Sequence, residues 1–199
     1  CPGAYHMGSR VFRCWKAGGH GPMNLHQALV NSCDVYFYQL GERLGVDRIS
    51  EYAFASGFGE LTGIDLPSEK PGLVPTREWK LQRFNEPWQG GENLNLAIGQ
   101  GFTLVNPLQV ARYLGALVNG GFIMKPNLLA DGQPEIQRKL LLTEDQRQLI
   151  LDAMVSTVTS GTARRIYRTD SLIGGKTGTA QVVTIGEFRK AKEDMPYEH

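Results

Sequence analysis

Residues 174–185 read Gly-Gly-Lys-Thr-Gly-Thr-Ala-Gln-Val-Val-Thr-Ile, and the rest of the chain is interpreted around this stretch. The β-branched run at 182–185, directly after glycines and small hydroxyl residues, predicts a strand. Glycines on such a strand let a ligand approach closely. Lys176, Thr177 and Thr179 would then place a cation and two hydroxyls along one edge, which suits an extended substrate with a terminal carboxylate. Taken alone, Lys-Thr-Gly is better explained as a strand start with a solvated lysine, because the motif is short.

The composition and charge of the chain restrict the class of protein and its possible partners. The chain has 199 residues, of which 41% are hydrophobic and 21% charged, as in a soluble globular protein with one domain. The net charge of +1 gives no reason to expect nucleic acid or an acidic membrane surface as a partner. The sequence starts at Cys1 without a methionine and stops after a charged stretch, so we expect a piece of a longer protein.

Helices dominate the predicted secondary structure. We expect them to begin near Leu25, near Val35 (ending at Gly45), at residue 48 after an Asp47 N-cap, at Leu108 after Asn106-Pro107, and after a Thr143–Gln146 capping box. Residues 57–100 are rich in turn residues and aromatics and predict a long loop, either functional or merely covering. Residues 1–24 are glycine-rich without apolar periodicity, so their ordering requires a further constraint.

That constraint could be a metal ion. Cys1, Cys14, His20 and Cys33 form a Cys3His set, which is typical of a closed structural zinc site. Three alternatives remain open from the residues alone. These are a Cys1–Cys14 disulfide, free buried thiols with Cys33 as a small core residue, and a histidine satisfied within a glycine-rich loop.

Lys176-Thr177-Gly178 matches the third motif of the S-x-x-K, S-D-N and K-T-G set, and Ser32-Cys33-Asp34 corresponds to the second with aspartate in place of asparagine. Ser32-Cys33-Asp34 alone would be an ordinary helix cap. With the Lys-Thr-Gly motif present, the chain resembles the transpeptidase domain of a class B penicillin-binding protein, specifically of the penicillin-binding protein 2 type. Seven segments carry the resemblance in the expected order: CPG, FRCWKAGGHG, NSCDVYFYQLGERLGVDRI, TGIDLPSE, PTREWK, IGQGFTLVNPLQVAR and GGKTGTAQV.

The resemblance implies an α/β (α+β) fold of the serine β-lactamase/transpeptidase type, with an antiparallel sheet flanked by helices. Residues 1–199 would be a partial transpeptidase domain. No Ser-x-x-Lys occurs in the sequence, and Ser68-Glu69-Lys70 has the wrong spacing and follows the Ser32 motif, whereas the family's nucleophile precedes it. We therefore expect the nucleophile and the last sheet strands to lie outside this chain, and the chain alone to be inactive.

The implied chemistry is serine acyl transfer from a D-alanyl-D-alanine stem peptide to an amine of a second stem peptide. Ser32 would pass a proton, and Lys176 would hold the potential positive. Thr177, Gly178 and Thr179 would bind the substrate carboxylate, with the Thr179 N–H as an oxyanion donor. Asp34 would bind the substrate from the position where many relatives have an asparagine that contacts the substrate amide. An ionised aspartate cannot donate a hydrogen bond, so a structural or pKa-shaping role is equally open.

The resemblance also implies the setting. It predicts peptidoglycan stem peptides and β-lactam antibiotics as ligands, and a membrane glycan polymerase and other elongation proteins as partners in maintaining cell shape. It predicts the periplasmic face of the inner membrane, with an anchor outside this chain, and a metal site in the Cys/His region. Two alternatives to a transpeptidase remain: a serine β-lactamase or β-lactam sensor, and a non-catalytic interaction domain stapled by zinc.

Overall fold

The computed structural model describes residues 1–129 and 131–179, which form a mixed α/β fold. Helices and short antiparallel strand pairs alternate along the chain. In chain order the elements are β1 (Ala4–Met7), β2 (Arg10–Arg13), α1 (Leu25–Val30), α2 (Asp34–Ala55), α3 (Arg77–Phe84), α4 (Gly90–Ala97), α5 (Pro107–Val118), β3 (Phe122–Met124), β4 (Ile136–Lys139), α6 (Glu144–Thr159) and a 3-10 turn (Arg164–Ile166).

The predicted second and third helices form one element, α2, interrupted at Gly45. Gly45 has φ 71° and ψ 168°, a conformation that only glycine adopts without strain. The predicted break is therefore confirmed at the residue level, although the helix resumes directly. The carboxylate of Asp47 accepts a hydrogen bond from Arg77 Nε (2.9 Å), which ties α2 to the start of α3.

The prediction of a continuous loop over residues 57–100 is wrong for its second half, which contains α3 and α4. Both helices are eight residues long, too short for periodicity to show clearly. Helix α4 is held by packing along α2, where the two backbones approach closely. A Cβ on Gly41 would lie 2.4 Å from Ala97 Cβ and 2.7 Å from Asn93 O. Tertiary contact thus stabilises α4, a helix that the local sequence predicts only weakly.

The capped helices α5 and α6 are confirmed at their predicted starts. The Asn106 side chain accepts from Gln109 N (2.8 Å), and Pro107 occupies the first turn of α5. The Thr143 side chain accepts from Gln146 N (3.3 Å), while the Gln146 side chain accepts from Thr143 N (2.9 Å). These reciprocal bonds satisfy backbone donors that a helix start leaves unpaired.

Strands are more numerous than the one predicted. In the described part of the chain β1 pairs with β2 and β3 pairs with β4, each antiparallel. Residues 1–24 therefore contain a β-hairpin, contrary to the expectation of a wholly irregular segment. Residues 174–179 carry no strand assignment, and the β-branched run at 182–185 lies outside the described residues.

Helix α1 packs against α6, and this contact positions the turn between α1 and α2. The carbonyl of Val30, at the end of α1, accepts a hydrogen bond from Thr162 N (3.3 Å) just after α6. In residues 1–129 and 131–179 no helix is both long enough and apolar enough to cross a membrane.

Candidate active site

A cleft of about 670 Å³ opens between the α1–α2 turn and residues 176–179. Its walls combine apolar side chains with hydroxyl, amide and charged groups. The lining residues are Trp15, Leu29, Ser32, Asp34, Phe37, Ala97, Ile98, Gln100, Thr162, Lys176, Thr177, Gly178 and Thr179. All six residues predicted for catalysis or substrate binding, from two distant parts of the sequence, therefore line one cleft.

Ser32 occupies the tight turn that joins α1 to α2. Its N–H donates to Leu29 O (3.2 Å), and Cys33 N donates to Ala28 O (3.0 Å), so the turn closes back onto α1. Ser32 has φ 51°, in the left-handed region that non-glycine residues seldom adopt. Backbone strain of this kind concentrates at functional sites, where the surrounding structure holds it in place.

Lys176 contacts Ser32 directly across the cleft. Its Nζ donates to Ser32 Oγ (2.8 Å) and to Thr177 O (2.9 Å). Burial lowers the pKa of Lys176 below that of a free lysine, and the charge of Asp34 opposes this shift. Because Ser32 Oγ accepts from an ammonium group, its own O–H remains available to donate to a third atom in the cleft.

Asp34 begins α2 and lies in the same cleft. A carboxylate in the first turn of a helix is stabilised by the unpaired N–H groups there. Its Oδ2 accepts a hydrogen bond from the backbone N–H of Trp15 (2.9 Å). As a negative charge that acts on Lys176, Asp34 shapes the electrostatics of the site through space.

The Lys-Thr-Gly segment is anchored to the end of α6 through hydroxyls. Thr177 Oγ1 and Thr162 Oγ1 are 2.8 Å apart and share a hydrogen bond. Among residues 1–129 and 131–179, no atom lies within 4 Å of a Cβ built on Gly178, so the described part of the chain leaves room for a ligand at this position. Thr179 lines the cleft beside it.

Several lining residues were not predicted from sequence, chiefly Trp15, Gln100 and Thr162. Thr162 was assigned to a turn, and only its contact with Thr177 connects it to the site. Gln100 belongs to the segment Ile98-Gly99-Gln100-Gly101, one of those that carried the family resemblance. Trp15 belongs to another of these segments, FRCWKAGGHG. No spacing rule predicts these three contacts, because they depend on the tertiary packing.

The Cys/His cluster is assembled as the sequence predicted. One ligand atom from each of Cys1, Cys14, His20 and Cys33 lies within 4.8 Å of all the others. The three cysteines are free thiols, so the disulfide alternative is not the state in this structure. Burial, and then the charge of Lys16, lower the pKa of His20, which favours the neutral imidazole that a metal requires.

The cluster fits a tetrahedral metal. Zinc bonds of about 2.3 Å to sulfur and 2.0–2.1 Å to nitrogen place tetrahedral ligand atoms about 3.5–3.8 Å apart. The separation between Cys14 Sγ and His20 Nδ1 is 3.6 Å. Cys14 and Cys33 are buried in the same core cluster as Val35 and Tyr38 of α2. Since Cys33 is adjacent to Ser32, the cluster lies directly against the α1–α2 turn, on the core side of that turn.

Comparison with known proteins agrees with the motif pattern. The family described as Penicillin binding protein transpeptidase domain matches residues 1–194. Peptidoglycan D,D-transpeptidase MrdA of Acinetobacter baumannii is 36% identical over 204 residues, which cover 96% of this chain and 30% of that protein. The chain thus spans under a third of that relative's length.

Solved structures give the same fold. Penicillin-Binding Protein (PBP2) from Helicobacter pylori matches 92% of this chain and 35% of its own length, with TM-score 0.86 and 38% identity. Its complex with MreC matches with TM-score 0.84 over 91% of this chain and 35% of the matched chain, at 38% identity. A structure titled "Structural coordination of polymerization and crosslinking by a peptidoglycan synthase complex" matches with TM-score 0.82 and 34% identity, over 92% of this chain and 32% of the matched chain.

These matches confirm the resemblance to penicillin-binding protein 2 and the transpeptidase-type α/β fold. Family, fold and paired motifs all lead to the same assignment. The chain belongs to the penicillin-binding protein transpeptidase domain family.

Proposed function

We propose that this chain is the middle and late part of the transpeptidase domain of a peptidoglycan D,D-transpeptidase. The observation that carries the proposal is the 2.8 Å hydrogen bond from Lys176 Nζ to Ser32 Oγ. This bond joins the two motifs that the family shares, in a cleft large enough for a peptide end. The named relative, a peptidoglycan D,D-transpeptidase, supports the same reaction.

In the proposed reaction a serine Oγ–C bond forms at the penultimate D-alanine of a stem peptide, and the C–N bond to the last D-alanine breaks. Ser32 accepts from Lys176 and can donate its own proton to the leaving amine. The positive charge of Lys176 makes Ser32 a better proton donor, because it stabilises the negative charge that develops on Ser32 Oγ. The lysine of the Ser-x-x-Lys motif would take the proton of the nucleophile and return it to Ser32, so that no alkoxide remains. Deacylation reverses the path: an amine of a second stem peptide attacks the ester and gives up its proton.

Thr177, Gly178 and Thr179 would hold the terminal carboxylate of the donor peptide beside Lys176. The backbone N–H of Thr179 would donate to the developing oxyanion, a contact whose loss typically costs about 2.7–4 kcal/mol of transition-state stabilisation. The anchoring bond between Thr177 and Thr162 supports this role, because it fixes the segment relative to α6. Preorganised donors of this kind need no rearrangement when charge develops.

The nucleophile itself would come from a Ser-x-x-Lys segment outside these 199 residues, which contain no such sequence. The lysine of that motif would be the base that activates the hydroxyl. This chain alone would therefore be inactive. The whole protein would act at the periplasmic face of the inner membrane, anchored by a segment outside this chain. The matched structures that contain MreC and a peptidoglycan synthase complex support partners from the elongation machinery, including a membrane glycan polymerase.

The test uses the full-length protein and a fluorescent penicillin. We expect stable covalent labelling, together with cross-linking of stem pentapeptides to an acceptor amine. Rapid turnover of the penicillin without cross-linking would assign the protein to the β-lactamases. Stable labelling without cross-linking would indicate a β-lactam sensor. No labelling at all would leave the non-catalytic interaction domain as the better assignment.

We further propose that Cys1, Cys14, His20 and Cys33 hold one zinc ion. Four protein ligands leave no open position for a water molecule, so the ion would be structural and would tie the N-terminal segment to α2. The ion would add to the apolar contacts of Tyr5, Met7 and Phe12 in offsetting the ordering cost of residues 1–24, about 1–2 kcal/mol per residue for the backbone.

Elemental analysis of protein purified without chelator tests the zinc proposal. We expect about one zinc per chain, since structural zinc sites bind the ion with a free energy of about 10–16 kcal/mol at pH 7. Cys14→Ser should remove most of the zinc and increase proteolysis within residues 1–24. A wild-type protein without zinc, or one with Cys1 and Cys14 in a disulfide, would refute the site.

A further inference from the structure

Trp15 lines the cleft but belongs to neither motif, and the proposed reaction does not use it. Its side chain lines the cleft and is 60% exposed, which is unusual for so large an apolar ring. A tryptophan that served only to fill the core would be covered. Its two N–H groups, in contrast, both donate to the turn that carries Ser32.

Two donors of Trp15 bind that turn. The indole Nε1 donates to Asn31 O and to Ser32 O, at 3.0 Å each. The backbone N–H donates to Asp34 Oδ2 at 2.9 Å. One residue therefore contacts three of the four positions from Asn31 to Asp34.

These bonds meet a structural requirement of the turn. Ser32 has φ 51°, a strained conformation that persists only where neighbouring contacts over-determine it. The carbonyls of Asn31 and Ser32 need a hydrogen-bond donor, because the C-terminal carbonyls of a helix have no partner within it. The indole N–H supplies a donor to both carbonyls at once.

Trp15 also contacts the Cys/His cluster. It directly follows Cys14, and its ring lies edge-on to that of His20 with centroids 5.3 Å apart. Within the described residues His20 Nε2 is buried without a hydrogen-bond partner, so no bond at that atom orients the ring. Packing against Trp15 therefore orients the His20 ring together with the contact between His20 Nδ1 and Cys14 Sγ.

We propose that Trp15 is a positioning residue that clamps the Asn31–Asp34 turn and links it to the Cys/His cluster. The proposal rests on the proposed acyl transfer, because its consequence is the placement of Ser32 Oγ against Lys176 Nζ. Without the clamp the turn relaxes from its strained conformation, and the hydroxyl leaves the position from which it transfers a proton. The exposed face of the ring remains a wall of the cleft.

The kinetic test compares Trp15→Phe with the wild type in the full-length protein. Phenylalanine keeps an aromatic wall but removes the N–H. We expect the acylation rate constant for a fluorescent penicillin to fall about tenfold, with the dissociation constant of the non-covalent complex within about twofold, because positioning acts on the chemical step. The control is Trp88→Phe, which removes an indole bond to Asn93 Oδ1 (2.8 Å) away from this cleft. A change in dissociation constant alone would reduce Trp15 to an apolar wall and overturn the proposal.

Hydrogen exchange provides a readout independent of activity. In Trp15→Phe we expect the amides in peptides covering residues 29–36 to exchange about fivefold faster, the equivalent of one net hydrogen bond. Trp88→Phe should leave these amides unchanged. Unchanged exchange at the turn in Trp15→Phe would overturn the clamp. If the wild type takes no penicillin, the proposed function fails, and the exchange comparison still decides whether Trp15 holds the turn.

Discussion

Ser32 and Lys176 are 144 positions apart in sequence, and their side-chain ends lie 2.8 Å apart in the cleft. A hydrogen bond from an ammonium group is shorter and stronger than a neutral one and orients its acceptor. It leaves the Ser32 proton directed elsewhere, where a leaving amine can receive it. The chemistry of the site depends on this one pair more than on any other contact.

Replacing Lys176 by alanine tests that dependence. We expect Lys176→Ala to lower the acylation rate of the full-length protein by at least about a hundredfold, the scale of general acid–base catalysis. The melting temperature should change little, because the lysine lies among glycines, where its side chain has little packing role. Stopped-flow acylation with a fluorescent penicillin measures the effect.

The matched control is Lys70→Ala, which removes an exposed lysine outside the cleft. It should keep the wild-type acylation rate and melting temperature. If Lys176→Ala also acylates at the wild-type rate, Lys176 is merely a solvated lysine of a strand start.

The charge of Asp34 affects the pH at which Lys176 loses its proton. Burial lowers the pKa of Lys176, and the Asp34 carboxylate raises it again by favouring the charged form. The ammonium is present below this pKa and lost as pH rises through it, so acylation should decline on the alkaline side. Asp34→Asn removes the opposing charge and should move this decline to lower pH. A pH–rate profile in which the decline stays in place or moves to higher pH would contradict this electrostatic role.

At the scale of elements, the contact between α1 and α6 carries the catalytic turn. Gly161, just after α6, is packed so closely that a Cβ would lie 2.4 Å from Val30 O and 2.9 Å from Thr157 Cα. Both clashes are with backbone atoms, which cannot rotate away. The α1–α2 turn therefore depends on a position with no side chain.

Gly161→Ala should destabilise the domain by about 1–3 kcal/mol, the usual cost of overpacking. Acylation should slow as well, because Val30 and the Ser32 turn move together. Thermal unfolding of the full-length protein measures the first effect. Gly115→Ala is the control: a Cβ there meets nothing within 4 Å inside α5, so it should be neutral or stabilise by up to about 1 kcal/mol. Equal melting temperatures for the two variants would argue against the tight contact.

The elements that sequence predicted well are those whose ends are set locally. Asn106 and Thr143 begin α5 and α6 through side-chain bonds to residues three positions away. Helices α3 and α4, and the hairpin β1–β2, could not be predicted in the same way. Each is short and takes its stability from distant partners, as α4 does from Gly41 of α2. Propensity is a weak guide where tertiary contact decides.

The candidate site was predicted more completely than the fold. Motif spacing and family resemblance predicted that Ser32, Asp34 and Lys176 act together and that the Cys3His set forms one cluster. In the structure the first three line one cleft, and the four possible ligands lie close together. Trp15 and Thr162 were missed as site residues because their roles lie in hydrogen bonds to carbonyl and hydroxyl groups that become neighbours only on folding.

In the whole molecule, the proposed reaction would need residues from two stretches of chain, one within these 199 residues and one outside them. In the proposed reaction the described residues would supply a proton relay and a carboxylate site beside the Cys/His cluster, and the 199-residue sequence contains no Ser-x-x-Lys. The chain covers 30% of the length of its A. baumannii relative, so most of such a protein lies outside the matched region. The central claim is that the acylated serine lies there too.

Peptide mapping of the penicillin adduct by mass spectrometry tests this claim most directly. The full-length protein and the 199-residue chain are each treated with penicillin, digested and sequenced. The account predicts a single adduct in the full-length protein, on the serine of a Ser-x-x-Lys sequence outside these residues, and none on the 199-residue chain. An adduct on Ser32 or on any other serine of this chain, or no adduct in either protein, would contradict it.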